Sequence, residues 1–395
     1  MLTAEVRQVK NPGSLIAAPS VKTMFLVFSL IGVVTFMVGL FLDPKRMWFS
    51  FLHNHFYFLT LALGGLFFAA LQWLTQAMWS APVRRISEAL TSFLPISLIT
   101  FLILLFGIHY LYPWSYKGDI VLAGKSGYLN INFFILRNLL AIGLWVFFAI
   151  KMIGNSLKQD KDGSLAWTKK NRVLSPIFII LFALTYTMVS FDQLMSLDPH
   201  WFSTIFGVYC FAGLFYSNLA LTCVLTVLLK RQGYLEGIVN ENHLHDLGKF
   251  MFAFIVFWAY IAFCQFMLIW YANLPEETSY FLNRMHGGWI YVSLFLLIGK
   301  FIIPFFILLP RGAKRNEKLL FNIGIYMLVA QWIDFYWIIQ PQYAPDGPVF
   351  GLIEIGILLG FLGIFGLVVQ KFLSTHNLVA IGDPRLVEAV THHHQ

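Results

Sequence analysis

The chain has 395 residues, of which 58% are hydrophobic and only 12% are charged. Because its apolar runs are long enough to cross a hydrocarbon core of about 30 Å, the composition leaves no room for a soluble domain and predicts an all-α integral membrane protein. The formal charge of +8 does not indicate a nucleic-acid partner, since the basic residues lie in short loops between apolar runs, where they set orientation.

Ten apolar runs predict ten transmembrane helices within one domain of residues 1–395. Residues 1–21 are predicted to precede the ten-helix bundle of residues 22–372, and residues 373–395 to form a tail. The predicted spans, numbered helix one to helix ten, are Lys22–Leu42, Phe51–Gln76, Arg85–Tyr112, Asn130–Ile153, Arg172–Ser196, Trp201–Leu229, Leu247–Tyr271, Gly287–Leu309, Leu319–Gln340 and Val349–Phe372.

Lysine and arginine are distributed unevenly between the two sides of these spans. Far more of them lie at the N-terminus, in the even-numbered loops and at the C-terminus than in the odd-numbered loops. This bias predicts that both termini are cytoplasmic. We call that side the inner side and the opposite side the outer side.

Ionisable residues inside the spans are costly in lipid and are therefore candidates for a functional site. With a rise of about 1.5 Å per residue, four of them are predicted about 8–11 Å inside the outer ends of their helices: Arg137, Asp192, Asp334 and Glu354. Others are predicted nearer the outer surface: His53, His55, His109, Arg284 and His286. Only Lys300 and Glu88 are predicted in the inner half.

The stretch Phe191–Trp201 predicts a polar hairpin between helices five and six at the outer surface. Asp192 would lie inside the hydrocarbon, with Asp198 and His200 at the rim above it, an arrangement suited to moving a proton to water. A structural alternative is that Asp198 caps helix six with Pro199 at its first position. Arg137 is expected to pair with Asp192 or Glu354, which would be a purely structural contact.

The sequence predicts that no cofactor and no metal is bound by this chain. Cys210, Cys223 and Cys264 lie in apolar segments without a C-x-x-C or C-x-x-C-H motif, which excludes a thiolate-held cluster or an attached c-type haem. There is also no P-loop, dinucleotide fingerprint or nucleophile elbow. Quinol binding beneath the hairpin remains open, because large side chains there are able to fill the slot themselves: Phe191, Trp201 and Phe206.

On helix ten, Gly356, Gly360 and Gly363 form a small-residue face. Such a face predicts close packing against a neighbouring helix.

Three segments carry a resemblance to a known family. They are Asn54–Glu88, which contains Trp79-Ser80-Ala81-Pro82-Val83-Arg84-Arg85, then Asp198–Gly207, and Phe257–Thr278. These segments resemble the NrfD-like (polysulfide-reductase membrane subunit) family. Within it they are most similar to the ActF branch, the second NrfD-like subunit of bacterial alternative complex III, a quinol:cytochrome c oxidoreductase. The resemblance extends from about Lys22 to Phe372.

This resemblance implies two four-helix bundles, helices two to five and six to nine, with helices one and ten peripheral. It implies the bacterial cytoplasmic (inner) membrane, with menaquinol or another quinone as the reductant of the complex. The implied partners are a paralogous NrfD-like subunit (ActC) with the main quinol site, subunits carrying iron–sulfur clusters and c-type haem, a terminal oxidase and lipids. In this setting the chain is expected to support quinol oxidation or conduct protons while carrying no electrons itself.

Two alternatives to a respiratory subunit stay open from the sequence. One is a stand-alone secondary transporter, although Pro95, Pro176 and Pro304 do not interrupt the two halves at matching positions, as transporters often require. The other is a structural anchor for cofactor-bearing subunits.

Overall fold

The computed structural model describes residues 11–116, 122 and 124–391. Across these ranges it contains ten helices long and apolar enough to span a membrane, and no strand, which confirms the predicted all-α membrane fold. The ten helices are Pro19–Leu42, Pro44–Thr75, Ala81–Leu111, Ile131–Asp162, Leu165–Leu197, Phe206–Arg231, Glu241–Ala272, Trp289–Leu308, Glu317–Gln342 and Leu352–Thr375. Two short helices, which were not predicted, are Pro275–Met285 and Leu386–Val390.

The ten helices pack as two bundles and one outlying pair. Helices two to five contact one another, as do helices six to nine, and helix six joins the bundles by packing on helices two and five. Helices one and ten pack mainly on each other and, through helix ten, on helix two. This arrangement is the one that the family resemblance implied.

Glycine allows helices one and ten to approach closely. A Cβ atom added to Gly32 would lie 2.2 Å from the Cα atom of Gly360, and one added to Gly356 would lie 2.1 Å from Oγ1 of Thr35. Since real Cβ atoms do not tolerate such distances, the helices can only cross here without side chains. The predicted packing role of the helix-ten glycines is therefore confirmed, with helix one as the partner.

Helix eight is not a regular α-helix. Its middle, Leu296–Ile302, is a π-helix between α-helical segments Trp289–Phe295 and Ile303–Leu308. Pro304 lacks the N–H that would bond to the carbonyl of Lys300 four residues earlier, and its ring crowds that carbonyl. The widened turn relieves this conflict, and such turns are frequent at functional sites.

Helix two begins earlier than predicted, at Pro44, and only Asp43 separates it from helix one. His53 and His55 therefore lie roughly 14–17 Å along the helix from its outer end, and both are fully buried. The prediction that they lie close to the surface is wrong, because the charged pair Lys45-Arg46 belongs to the helix and not to a loop.

Helix six begins later than predicted, at Phe206, and its N-cap residue is Ile205. Asp198 and Pro199 belong to the preceding turns, so the prediction that Asp198 caps this helix is wrong. Trp201, which was predicted to start the helix, is buried before it, whereas Phe202 is exposed.

The residues after helix ten fold back against the inner end of the bundle. Leu378, Val379 and Leu386 are buried, and Asp383 pairs with Arg84 of helix three at 2.5 Å. The predicted tail thus packs on the bundle up to Thr391, because its apolar residues find a complementary surface there. The tail residues 392–395 and the first ten residues of the predicted N-terminal segment lie outside the described part.

Candidate functional site

Each bundle contains a buried ion pair built from equivalent helices. In both, the third helix supplies the cation and the fourth helix supplies the carboxylate. Arg137 of helix four binds Asp192 of helix five through two hydrogen bonds of 2.8 and 2.9 Å. Lys300 of helix eight binds Asp334 of helix nine, with 2.5 Å between Nζ and Oδ2. The predicted Arg137–Asp192 pair is therefore confirmed.

The second pair lies at the centre of a polar group that we call the Lys300–Asp334 centre. Lys300 is fully buried, and its Nζ also donates to Oε1 of Gln331 at 2.8 Å. Besides Lys300, Asp334 accepts hydrogen bonds from the Tyr209 hydroxyl, from Nε1 of Trp258 at 3.2 Å and from Nε2 of Gln331 at 3.3 Å. The Trp258 ring lies 3.9 Å from the ammonium nitrogen and adds a cation–π contact. The carboxylate is thus surrounded by donors.

This geometry suits proton exchange. Two unpaired charges would cost many kcal/mol in a dry interior, whereas a hydrogen-bonded pair is tolerated. A proton that passes from Nζ to Oδ2 converts the pair into two neutral groups, so the centre can change its protonation without leaving an isolated charge. The prediction that Lys300 is a lone inner-half charge is wrong, because the long side chain of lysine reaches Asp334 from the middle of helix eight.

The first pair is arranged differently and has the features of a structural contact. The Arg137 guanidinium lies 3.7 Å from the Tyr128 ring and donates to the Tyr128 carbonyl at 3.0 Å. Asp192 also accepts from Nδ2 of Asn138 at 3.1 Å. Burial, together with the neighbouring Asp192 charge, raises the pKa of Tyr128 to about 12. The planar guanidinium satisfies both carboxylate oxygens, which holds helices four and five together.

A third group of charges lies at the inner end of helix three. Glu88 accepts a hydrogen bond from Nε of Arg84 at 3.1 Å and forms an ion pair with Arg85, also at 3.1 Å. The same arginines reach Asp383 of the C-terminal segment at 2.5 Å and Asp160 of helix four at 2.7 Å. Glu88 is fully buried at the start of the bundle, while Asp160 lies at its edge. This network ties the inner end of helix three to helix four and to the C-terminal segment.

Four of the fully buried polar side chains of helix six form what we call the helix-six seam: Tyr216, Asn218, Thr222 and Thr226. The Tyr216 ring lies 5.1 Å from Nζ of Lys300. At the other end, the Thr222 hydroxyl lies 3.5 Å from that of Ser87, the residue before Glu88. The Tyr216 hydroxyl and Oδ1 of Asn218 have no hydrogen-bond partner among the described residues.

On the outer side, the hairpin and the short helix Pro275–Met285 cover the second bundle. Tyr280 stacks on Trp201 with 3.8 Å between ring centroids. Arg284 donates to the carbonyls of Trp337 and Ile338 at 3.1 and 2.8 Å, which satisfies the outer end of helix nine. Burial lowers the pKa of Arg284, against the opposing effects of the Tyr280 phenol and the Asp198 carboxylate.

The slot predicted beneath the hairpin is filled. A cavity lined by Asp198, Trp201, Phe206, Tyr280 and Arg284, among others, has a volume of only about 10 Å³. That is room for about one water molecule and not for a quinol ring. The large aromatic side chains occupy the space instead.

Asp192, Arg137, Glu354 and His109, all predicted on the outer side, do not meet in one pocket. Glu354 binds Arg46 of helix two at 2.7 Å, because the early start of helix two places that arginine beside helix ten. His109 is exposed and lies 3.1 Å from the Ser115 hydroxyl, in a separate outer cleft of about 380 Å³.

The other predicted histidines do not join the ion pairs either. Nε2 of His53 lies 2.8 Å from the Trp332 carbonyl, and Nδ1 of His55 lies 2.7 Å from the Thr100 hydroxyl. His200 and His286 are exposed at the outer surface. Within the described ranges no group of three or more histidine, cysteine or acidic residues has metal-binding geometry.

Sequence reasoning missed the neutral members of the centre, Tyr209, Trp258 and Gln331, and the partner of Glu354. Burying a tyrosine, tryptophan or glutamine side chain in a membrane costs much less than burying a charge. Such residues therefore do not stand out in a sequence as candidates for a site. The position of Pro304, four residues after Lys300, was the available signal for an irregular helix at the charge. Comparison with family models and with curated proteins finds no match to this chain.

Proposed function

We propose that this chain is a membrane subunit of a respiratory quinol:electron acceptor (cytochrome c) oxidoreductase of the alternative complex III type, and that it conducts protons. The motifs Asn54–Glu88, Asp198–Gly207 and Phe257–Thr278 support the first part. The observation that carries the second part is the Lys300–Asp334 centre, a buried pair that is able to exchange a proton and lies on a π-helix.

The inner route in this proposal runs from Glu88 through Ser87 to the helix-six seam. Thr222, Asn218 and Tyr216 then lead to Lys300, with water completing the steps between hydroxyl groups. Hydroxyl groups and water both donate and accept hydrogen bonds, so a proton passes along them without a free ion in the hydrocarbon, while Oδ1 of Asn218 accepts a hydrogen bond from a neighbouring water. The arginines that hold Glu88 keep a carboxylate at the inner mouth of the route.

The outer route begins at the Tyr209 hydroxyl, which touches Asp334. It continues past Tyr280 to Arg284 and Asp198 at the rim. When a proton from the inner route reaches neutral Lys300, the new ammonium charge favours release of the Asp334 proton to the Tyr209 hydroxyl and the outer route. One proton enters and one leaves, so no net charge accumulates in the centre.

Two features argue against other ions and against a stand-alone transporter. Asp334 is surrounded by N–H and O–H donors, which leaves no set of oxygen ligands of the kind that metal cations require. The irregular helices are helix three, the second helix of its bundle, and helix eight, the third helix of its bundle. In transporters, the broken helices usually occupy the same position in both halves of the protein.

The proposal is tested by isolating the protein in mild detergent and reconstituting it into vesicles. A complex subunit should bring haem absorbance with it, and quinol oxidation should then be accompanied by proton movement. The double variant Lys300→Met/Asp334→Asn removes the centre without leaving a lone charge. The matched control is Arg137→Met/Asp192→Asn, which removes the structural pair.

We expect the first double variant to move at least tenfold fewer protons per electron, while the control retains the wild-type ratio once folded. A chain that purifies without haem or partners would refute membership of the complex. An unchanged proton-to-electron ratio in Lys300→Met/Asp334→Asn would refute the proton role.

A further inference from the structure

A large apolar groove opens between helices one, six, nine and ten, away from the two ion pairs. Its volume is about 880 Å³, at the upper end of the range of about 300–1,000 Å³ that ligand pockets occupy. Its wall residues are mainly aliphatic and come from several helices: Leu225 and Leu228, Ile325 and Leu328, Leu362 and Phe365. The groove extends from the inner end of the bundle to the middle of helices two and nine.

The deep end of the groove offers no free polar group. It is closed by Tyr57 and Trp332. The Tyr57 hydroxyl donates to the Leu328 carbonyl at 3.0 Å, and Nε1 of Trp332 donates to Oδ1 of Asn54 at 3.0 Å. A quinone ring would need hydrogen-bond donors here, whereas a hydrocarbon chain needs none. The deep part of the groove therefore fits an alkyl chain.

The inner end of the groove is polar and basic. Gln232, Tyr234 and Gln370 line it, and three exposed cations adjoin the lining residues in sequence: Lys22, Arg231 and Lys371. The acidic Glu317 nearby is already bound by Lys230, and the exposed Glu236 lies two residues beyond Tyr234. The Arg231 guanidinium lies 4.8 Å from the Phe321 ring and 3.5 Å from the Glu317 carbonyl, and it keeps its charge. Three cations thus stand against the exposed Glu236 at this rim.

The segment before helix one fixes the rim. The Leu15 amide donates to the Leu373 carbonyl at 2.8 Å, and the Ile16 amide donates to the Tyr234 hydroxyl at 2.9 Å. These contacts hold the start of helix one beside helix ten and beside the loop after helix six. Residues 15–18 and Val21 therefore form part of the groove wall at its inner end.

We propose that this groove binds an anionic phospholipid of the inner leaflet, with its acyl chains between helices one, six, nine and ten and its headgroup at Lys22, Arg231 and Lys371. The apolar walls exclude water, so burying the chains is favourable. Each cation close to an anionic headgroup strengthens binding about fivefold. The proposal does not depend on the proton route, since the two share no charged residue.

Native mass spectrometry of the full chain, as purified with any partners it retains, tests this proposal. The probes are phosphatidylglycerol and phosphatidylcholine with identical oleoyl chains, added at equal concentrations. Leu225→Trp fills the groove. Leu184→Trp is the matched control, because Leu184 is 67% exposed on helix five and does not line the groove. A third variant, Lys22→Gln/Arg231→Gln/Lys371→Gln, removes the basic rim.

We expect the wild type and Leu184→Trp to retain one phosphatidylglycerol with at least a tenfold preference over phosphatidylcholine. Leu225→Trp should lose most of this binding, and the triple variant should lose the preference for the anionic lipid. Equal retention of both lipids by the wild type would overturn the proposal. So would undiminished binding in Leu225→Trp, or a stoichiometric quinone or partner helix cross-linked within the groove.

Discussion

Replacing Lys300 with methionine keeps the length of the side chain but removes the cation that pairs with Asp334. At 2.5 Å and an effective dielectric constant of about 20, the attraction between the two charges is about 7 kcal/mol. Much of this is offset by desolvation, so breaking such a pair by removing one partner costs about 3–5 kcal/mol. We expect Lys300→Met to lower the free energy of unfolding by that amount, unless Asp334 takes up a proton.

The double variant Lys300→Met/Asp334→Asn should recover most of this loss, because no lone charge remains. Buried pairs replaced by neutral groups of similar size are often as stable as the original. The control is Lys249→Met, which breaks an ion pair of similar length with Asp246, 2.6 Å, in which the lysine is 47% exposed. Water reaches this lysine, although Asp246 is only 6% exposed, so losing the pair should cost less than losing the fully buried Lys300–Asp334 pair.

The measurement is reversible denaturation in detergent micelles, followed by tryptophan fluorescence, together with proton uptake in vesicles. If Lys300→Met and Lys249→Met had the same free energy of unfolding, and the double variant had that of the wild type, the buried pair would carry no charge. If the stable double variant moved protons as the wild type does, Lys300 and Asp334 would only hold helices eight and nine together.

Three further variants test separate parts of the structure. Thr222→Val removes a hydroxyl from the helix-six seam and should slow proton uptake several-fold, with little change in the midpoint of unfolding. Uptake is measured by a stopped-flow pH assay, and an unaltered rate would exclude the seam as the route. Gly360→Leu places a side chain where a Cβ atom would lie only 2.6 Å from Cα of Gly32. This substitution should lower the free energy of unfolding by about 1–3 kcal/mol or more. A denaturation midpoint equal to that of the wild type would contradict the close crossing of helices one and ten. Asp383→Asn weakens the contact with Arg84 and should speed proteolysis of residues 376–391, which is followed by mass spectrometry. An unchanged rate would show that apolar contacts alone hold this segment.

The amino-acid sequence by itself determined the number of helices and their approximate limits. These properties are local: a bilayer requires about twenty apolar residues per span, and lipid forces each span to pair its own backbone groups as a helix. The glycine face of helix ten and the choice of Arg137 as a partner for Asp192 were also predictable. Both follow from the type of residue and its depth along a helix.

The tertiary structure decided which charges meet. Glu354 and Arg137 have similar predicted depths, yet Glu354 binds Arg46, because helix ten packs on helices one and two. Lys300 and Asp334 were placed in different halves of the membrane, yet they form one centre. Sequence gives the position of a residue along its helix at about 1.5 Å per residue. The direction in which its side chain points, and the neighbour it reaches, depend on the rotation of each helix within the packed bundle.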